Sequence, residues 1–221
     1  MNKRFGSADP AIADYVYRRY APEDELLRDI RARSNAAGLP DIQVAPLDAR
    51  HLEILARLCQ PRRAVEIGTL GGYSGVSIVR GLPEGGVLHT IEIDPRHAAV
   101  AAETFRRAGV SAKVRQWQGA ALDILPKLSS LGEGPFDLCF MDAEKSEYHL
   151  YLDWAAANLR PGGVVIADNA FLFGELPRAL SASPPAEVRA MDAFHRRLAE
   201  SGEFRATVIP TGEGLAVAVR A

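Results

Sequence analysis

A Rossmann-like α/β fold is predicted: a doubly wound, mostly parallel sheet of about seven strands with an antiparallel C-terminal hairpin and helices on both faces. Three observations predict it. Short apolar runs alternate with helical stretches from about residue 64 to residue 201. A glycine-rich turn directly follows the first of those runs. The alternation then breaks near the C-terminus, where two apolar runs are separated only by residues 210–214.

Residues 11–20 and 23–37 read as two helices that precede the sheet. Ala21-Pro22 ends the first and Gly38-Leu39-Pro40 the second, since glycine supports the left-handed turn after a helix and proline cannot continue one. A short extended piece, 42–45, leads into a helix over about 48–58, where Leu52, Leu55, Ala56 and Cys59 recur at helical spacing. Strands are expected at 64–67, 87–93, 112–117, 136–141 and 163–167, because near-continuous apolar runs suit strands covered on both faces. Helices are expected between them at 73–80, 95–108, 122–131 and 147–159. Right-handed crossovers in such repeated units place helices on both faces of a parallel sheet. A helix near 186–201 precedes strands at 204–209 and 215–220. Their short connection cannot hold a helical crossover, so these two pair antiparallel. The stretch Ser181-Ala-Ser-Pro-Pro185 reads as a surface loop.

With 221 residues and 48% hydrophobic composition the chain can bury one substantial core. We read it as one domain, a helical extension over 1–40 joined to a Rossmann-like core over 41–221. The 26 Lys+Arg against 28 Asp+Glu leave a net charge of -2, which provides no field to hold a nucleic-acid backbone or an anionic membrane. A small-molecule partner is expected instead. Cys59 and Cys139 sit in apolar stretches without metal-type spacing and read as buried free thiols. The basic start, Met1 to Ser7, is followed by charged helix and no long apolar run occurs, so a cytoplasmic protein is expected.

The turn Glu66-Ile-Gly-Thr-Leu-Gly-Gly-Tyr-Ser-Gly75 lies at the carboxyl edge of the predicted sheet, where open α/β folds bind ligands. It suits a cofactor cradle and equally suits tight strand-to-helix packing. A dinucleotide fingerprint is absent, since Leu70 stands where the second glycine belongs. Glu92, near the second strand's end, can accept both hydroxyls of a ribose or stand as a solvated strand end. Asp94 precedes Pro95 and caps a helix. Gln118-Gly-Ala-Ala121 offers backbone groups to an adenine edge. Asp142 and Asp168-Asn169 stand at two further strand tips. Two carboxylates and an amide oxygen form a hard-oxygen set suited to Mg²⁺ and poor for zinc. Either Asp taken alone would read as a helix cap or a surface acid.

The quoted turn, Ile91-Glu-Ile-Asp94, and Pro210-Thr-Gly-Glu-Gly-Leu215 resemble motifs of the class I S-adenosylmethionine-dependent methyltransferases, and more narrowly of the family containing caffeoyl-CoA and catechol O-methyltransferases. The resemblance runs from about Gln43 to the C-terminus. It implies an enzyme whose S-adenosyl-L-methionine site is lined by Val44, Glu66, Gly68, Ser74, Glu92, Ala120 and Asp142. It implies that Asp142, Asp168 and Asn169 hold a divalent cation, with magnesium favoured over manganese or calcium. The catalytic roles fall on Asp142 and Lys145, Lys145 assisting deprotonation of a vicinal diol such as a catechol or caffeoyl-type phenol. A homodimer is implied as well.

Those residue types suit the chemistry, because a phenol of pKa near 10 is a weak nucleophile until ionised. A lysine desolvated beside a dication is expected to have a depressed pKa and to accept the proton, although a solvated helix-start lysine is the alternative. Tyr148 and Tyr151, at helical i, i+3 spacing, are expected to pack a helix against the sheet, with a role in the site as the alternative. Phe171, Leu172 and Phe173 read as an apolar wall for an aromatic ring or as core. The five histidines show no pairing and are assigned no chemistry. A metal-independent methyltransferase and a non-catalytic S-adenosylmethionine-binding protein are the competing readings.

Overall fold

The computed structural model describes residues 9–20, 23–132 and 134–221, so the basic start at 1–7 and the Ala21-Pro22 break lie outside the described residues. Seven strands form one sheet: β1 (Arg63–Ile67), β2 (Val87–Glu92), β3 (Val114–Gln118), β4 (Phe136–Met141), β5 (Leu159–Ala167), β6 (Phe204–Ile209) and β7 (Leu215–Arg220). Their order is β3-β2-β1-β4-β5-β7-β6. The first five run parallel, while β7 lies between β5 and β6 and is antiparallel to both. The expected terminal hairpin is thus present.

The helices are α1 (Pro10–Tyr20), α2 (Glu25–Ala36), α3 (Pro46–Cys59), α4 (Tyr73–Gly81), α5 (Pro95–Arg107), α6 (Ala121–Ser130), α7 (Tyr148–Asn158) and α8 (Ala186–Glu200). The pleat divides the strand side chains between two cores. Ala64, Leu138, Phe140, Val164 and Ile166 face a core shared with α2 to α5. Their neighbours Val65, Ile67, Cys139, Met141, Val165 and Ala167 face the other, shared with α6, α7 and α8. Apolar runs were therefore needed on both faces, which is why the strands lack polar alternation.

Local chemistry explains the helix ends. Asp24 caps α2 by accepting from Leu27 N, and Asp94 caps α5 by accepting from Arg96 N and His97 N, with Pro95 as first helical residue. Four expectations shift. Strand β5 starts at Leu159, which pairs with Phe136 across a register shift that admits Pro161-Gly162-Gly163 into the strand. A 3-10 turn over Ser111–Lys113 delays β3. Helix α3 starts at Pro46, two residues earlier than expected, directly after an extended Ala45. Cys139 is buried, but Cys59 is only half-buried. No described helix is long and apolar enough to cross a membrane.

Hydrogen bonds continue past the strand ends. Asp142 N donates to Ile67 O at 2.8 Å, Asp168 N to Met141 O at 3.0 Å, and Gly68 N to Ile91 O at 3.0 Å. Gly68 has φ +97°, and a Cβ there would stand 2.1 Å from the Asp142 carbonyl oxygen. We expect Gly68→Ala to cost at least about 3 kcal/mol, a fall in Tm on the order of 10 °C, checked by thermal unfolding of the two proteins.

Candidate functional site

Strand order reverses between β1 and β4, and there, outside the carboxyl ends of the strands, lies a cavity of about 1040 Å³. The cavity gathers Val44, Gly68, Ser74, Glu92, Ala120, Asp142, Lys145, Asp168 and Asn169 on one wall system. Glu66 does not line it. That side chain is fully buried beneath the glycine turn, where its Oε2 accepts from Thr90 Oγ1 at 2.6 Å and its Oε1 has no partner.

At the glycine end, Glu92 does more than stand at a strand tip. Its Oε2 accepts from Leu70 N at 2.8 Å and Thr69 N at 3.2 Å, and its Oε1 from Asp94 N at 2.9 Å. The carboxylate holds the turn in shape, including Leu70 at φ +47°, and keeps lone pairs on the cavity side. His97 comes within 3.6 Å of Glu92 Oε1 and 4.0 Å of Asp94 Oδ2 and lines the cavity. That overturns the expectation of unpaired histidines. Its signal was position alone, in the first turn of a helix that starts beside Glu92.

At the acidic end, Lys145 is buried, which removes the solvated alternative. Its Nζ donates to Asp142 Oδ1 at 2.8 Å and to the Tyr148 hydroxyl at 2.9 Å. Tyr148 in turn donates towards Met141 O at 3.0 Å and Asp168 O at 3.2 Å, so one phenol links the tips of β4 and β5 to the lysine. Burial, followed by the charges of Asp142 and Asp168, holds this hydroxyl well above its ordinary value and keeps it a donor. Tyr148 packs as expected, yet its oxygen belongs to the site. That is the alternative reading of Tyr148, and the signal tying it to Lys145 is their i, i+3 spacing.

Burial pushes Asp168 up to about 7, the facing Asp142 adds to the rise, and the Asn169 N–H and Lys145 oppose it. Asn169 adopts φ +52°, its N–H donating to Asp168 Oδ1 at 2.8 Å. Among the described residues no group of three His, Cys, Asp or Glu side chains is placed to hold a metal. A cation here must rely on two carboxylates and the Asn169 amide oxygen, a donor set that fits Mg²⁺ with retained waters. Leu172 is buried and Phe173 is exposed on the cavity wall, whereas Phe171 does not line it.

The chain matches the O-methyltransferase family over residues 18–221. A catechol O-methyltransferase of Niastella koreensis is 38% identical over 208 residues, 94% of this chain and 91% of that protein. An O-methyltransferase of Bacillus cereus, solved in complex with SAH, superposes with a TM-score of 0.88 at 33% identity, covering 96% of this chain and 97% of the other. One from Streptomyces achromogenes involved in tomaymycin synthesis, solved with SAM, superposes at 0.87 with 38% identity and 96% coverage of both chains.

Burial raises the Glu66 carboxyl from 4.5 to about 7, against the hydrogen bonds of Ser74 and Thr90. The folded chain therefore keeps a proton there that the unfolded chain loses above 4.5, so stability falls as pH rises between those values. In ligand-free protein, Glu66→Gln should gain on the parent by up to about 3 kcal/mol between pH 5 and 8, measured as the difference in denaturant unfolding.

Proposed function

The chain belongs to the O-methyltransferase family, and from that premise we propose that it transfers the methyl group of S-adenosylmethionine to one oxygen of a vicinal diol, a catechol or caffeoyl-type phenol, with a divalent cation bound beside the acceptor. One observation carries this reading: Glu92, Asp142, Asp168 and buried Lys145, from the tips of three strands, line one cavity. Val44, Gly68, Ser74, Glu92, Ala120 and Asp142 would hold the cofactor. When bound, that cofactor supplies an electrophilic methyl on a sulfonium. Asp142, Asp168 and the Asn169 amide would hold the cation, which when bound lowers the pKa of a diol oxygen.

The remaining work falls to the protein. Lys145 Nζ, in its neutral form, takes the proton from the acceptor hydroxyl, and Asp142 Oδ1 at 2.8 Å stabilises the ammonium so formed. Tyr148 is a positioning residue that holds Nζ against the two strand tips. Burial of Lys145 keeps water from competing for that proton. A homodimer fits an α1 that buries none of its side chains and exposes Ile12, Tyr15 and Tyr20.

Calorimetric titration with S-adenosylmethionine, with and without Mg²⁺, followed by a catechol and caffeoyl-ester panel scored by mass, tests the proposal. Methylated diol should form, fall at least about 100-fold in EDTA, and return with Mg²⁺. Activity that survives EDTA would select a metal-independent methyltransferase, and cofactor binding without product a non-catalytic protein. Tyr148→Phe should keep cofactor affinity and acceptor KM while lowering kcat about tenfold, a split that a merely loosened fold would not give.

A further inference from the structure

Asp48, on the third turn-forming position of α3, was given no role by its sequence context, yet it lines the same cavity. The residue is 3% exposed; the Thr211 hydroxyl stands beside its carboxyl group as a neutral donor, and its Oδ1 has no partner at hydrogen-bond distance among the described residues. The nearest basic group is His51, whose Nδ1 lies 4.0 Å away and is itself without a partner. A buried carboxylate left this way costs free energy unless a ligand supplies a donor or a positive charge.

The surroundings sharpen the sign. Besides Asp48, Asp142 and Asp168, the wall carries Asp41, Glu92, Glu144, Glu147 and Glu213, against Arg31, Lys145 and His97 as its basic groups. Each is engaged locally, Arg31 with Glu23 at 3.0 Å, Lys145 with Asp142 at 2.8 Å and His97 with Glu92 at 3.6 Å. Asp142 and Asp168 are the pair that would hold the cation; among the described residues Glu144, Glu147 and Glu213 lack a basic partner as well, but Asp48 is the buried one among these acids. A cavity lined by one sign of charge concentrates ligands of the other and repels its own.

We propose that Asp48 forms a subsite for a protonated amine on the acceptor, so that this enzyme selects amine-bearing diols over diols that carry a carboxylate or phosphate. The inference rests on the diol reading above and chooses within it: acceptors with anionic tails, phosphorylated thioesters included, are disfavoured. The amine nitrogen donates to the Asp48 carboxylate while the diol lies at the Asp142–Asp168 end. No bond is made or broken at this subsite, and its contribution is affinity and orientation.

Three acceptors of one shape test it: 4-(2-aminoethyl)catechol, 4-ethylcatechol and 3,4-dihydroxyphenylacetate. Each is titrated calorimetrically into protein loaded with S-adenosylhomocysteine and Mg²⁺, and turnover is followed in parallel with S-adenosylmethionine. The amine should bind about tenfold more tightly than the neutral diol and the acid more weakly than both, the spread narrowing at high salt. Asp48→Asn should bring the amine-to-neutral ratio close to one. Equal affinities in the parent protein, no measurable binding of the amine, or an unchanged ratio in the variant would overturn the subsite. Failure of all three to be methylated would instead overturn the diol reading, with the affinities still deciding the charge preference.

Discussion

The constraint on which the site depends is the continuation of the parallel hydrogen-bond ladder past the ends of its strands. The amides of Gly68, Asp142 and Asp168 each donate to the neighbouring strand's last residues, Ile91, Ile67 and Met141. Those bonds fix the backbone of the residues that carry the chemistry before any side chain is considered. The switch in strand order then opens a crevice between the arms. Gly68 is the point where the two effects meet, because the turn crosses so close to Asp142 that no side chain fits between them.

Around this frame the electrostatics run against stability. Burial raises Glu66, Asp48 and Asp168 together, and the charge of Asp142 adds to each. A core built only for stability would pair or remove such groups, and their clustering in one crevice is what a ligand-binding site requires. Lys145 and Tyr148 offset part of the charge from inside the protein. The rest is left to whatever enters the cavity, the common physical basis of the cation, cofactor and amine proposals.

The residues that escaped the sequence did so for a shared reason. Tyr148 carries its function on one oxygen at the end of a side chain whose ring is core, so periodicity classed it correctly and incompletely. His97 and Asp48 sit on helices whose patterns explain them as surface or capping-turn positions, and only the docking of α3 and α5 turns them to the cavity. Glu66 shows the converse: motif placed it beside the cofactor, and packing put it beneath the turn. Strand β5 was read short because Pro161-Gly162-Gly163 has turn chemistry, which a bulge absorbs.

By itself the sequence determined the class of fold, the closing hairpin and the acids at the strand ends, since these follow from apolar periodicity and from residues at strand-to-helix junctions, which are local properties. Tertiary structure alone decided which of those acids face one another, that Lys145 is buried between Asp142 and Tyr148, and that Asp48 and His97 reach the same space. Such facts depend on strand order and helix docking. They are set by contacts between residues far apart in the chain, and no local pattern records them.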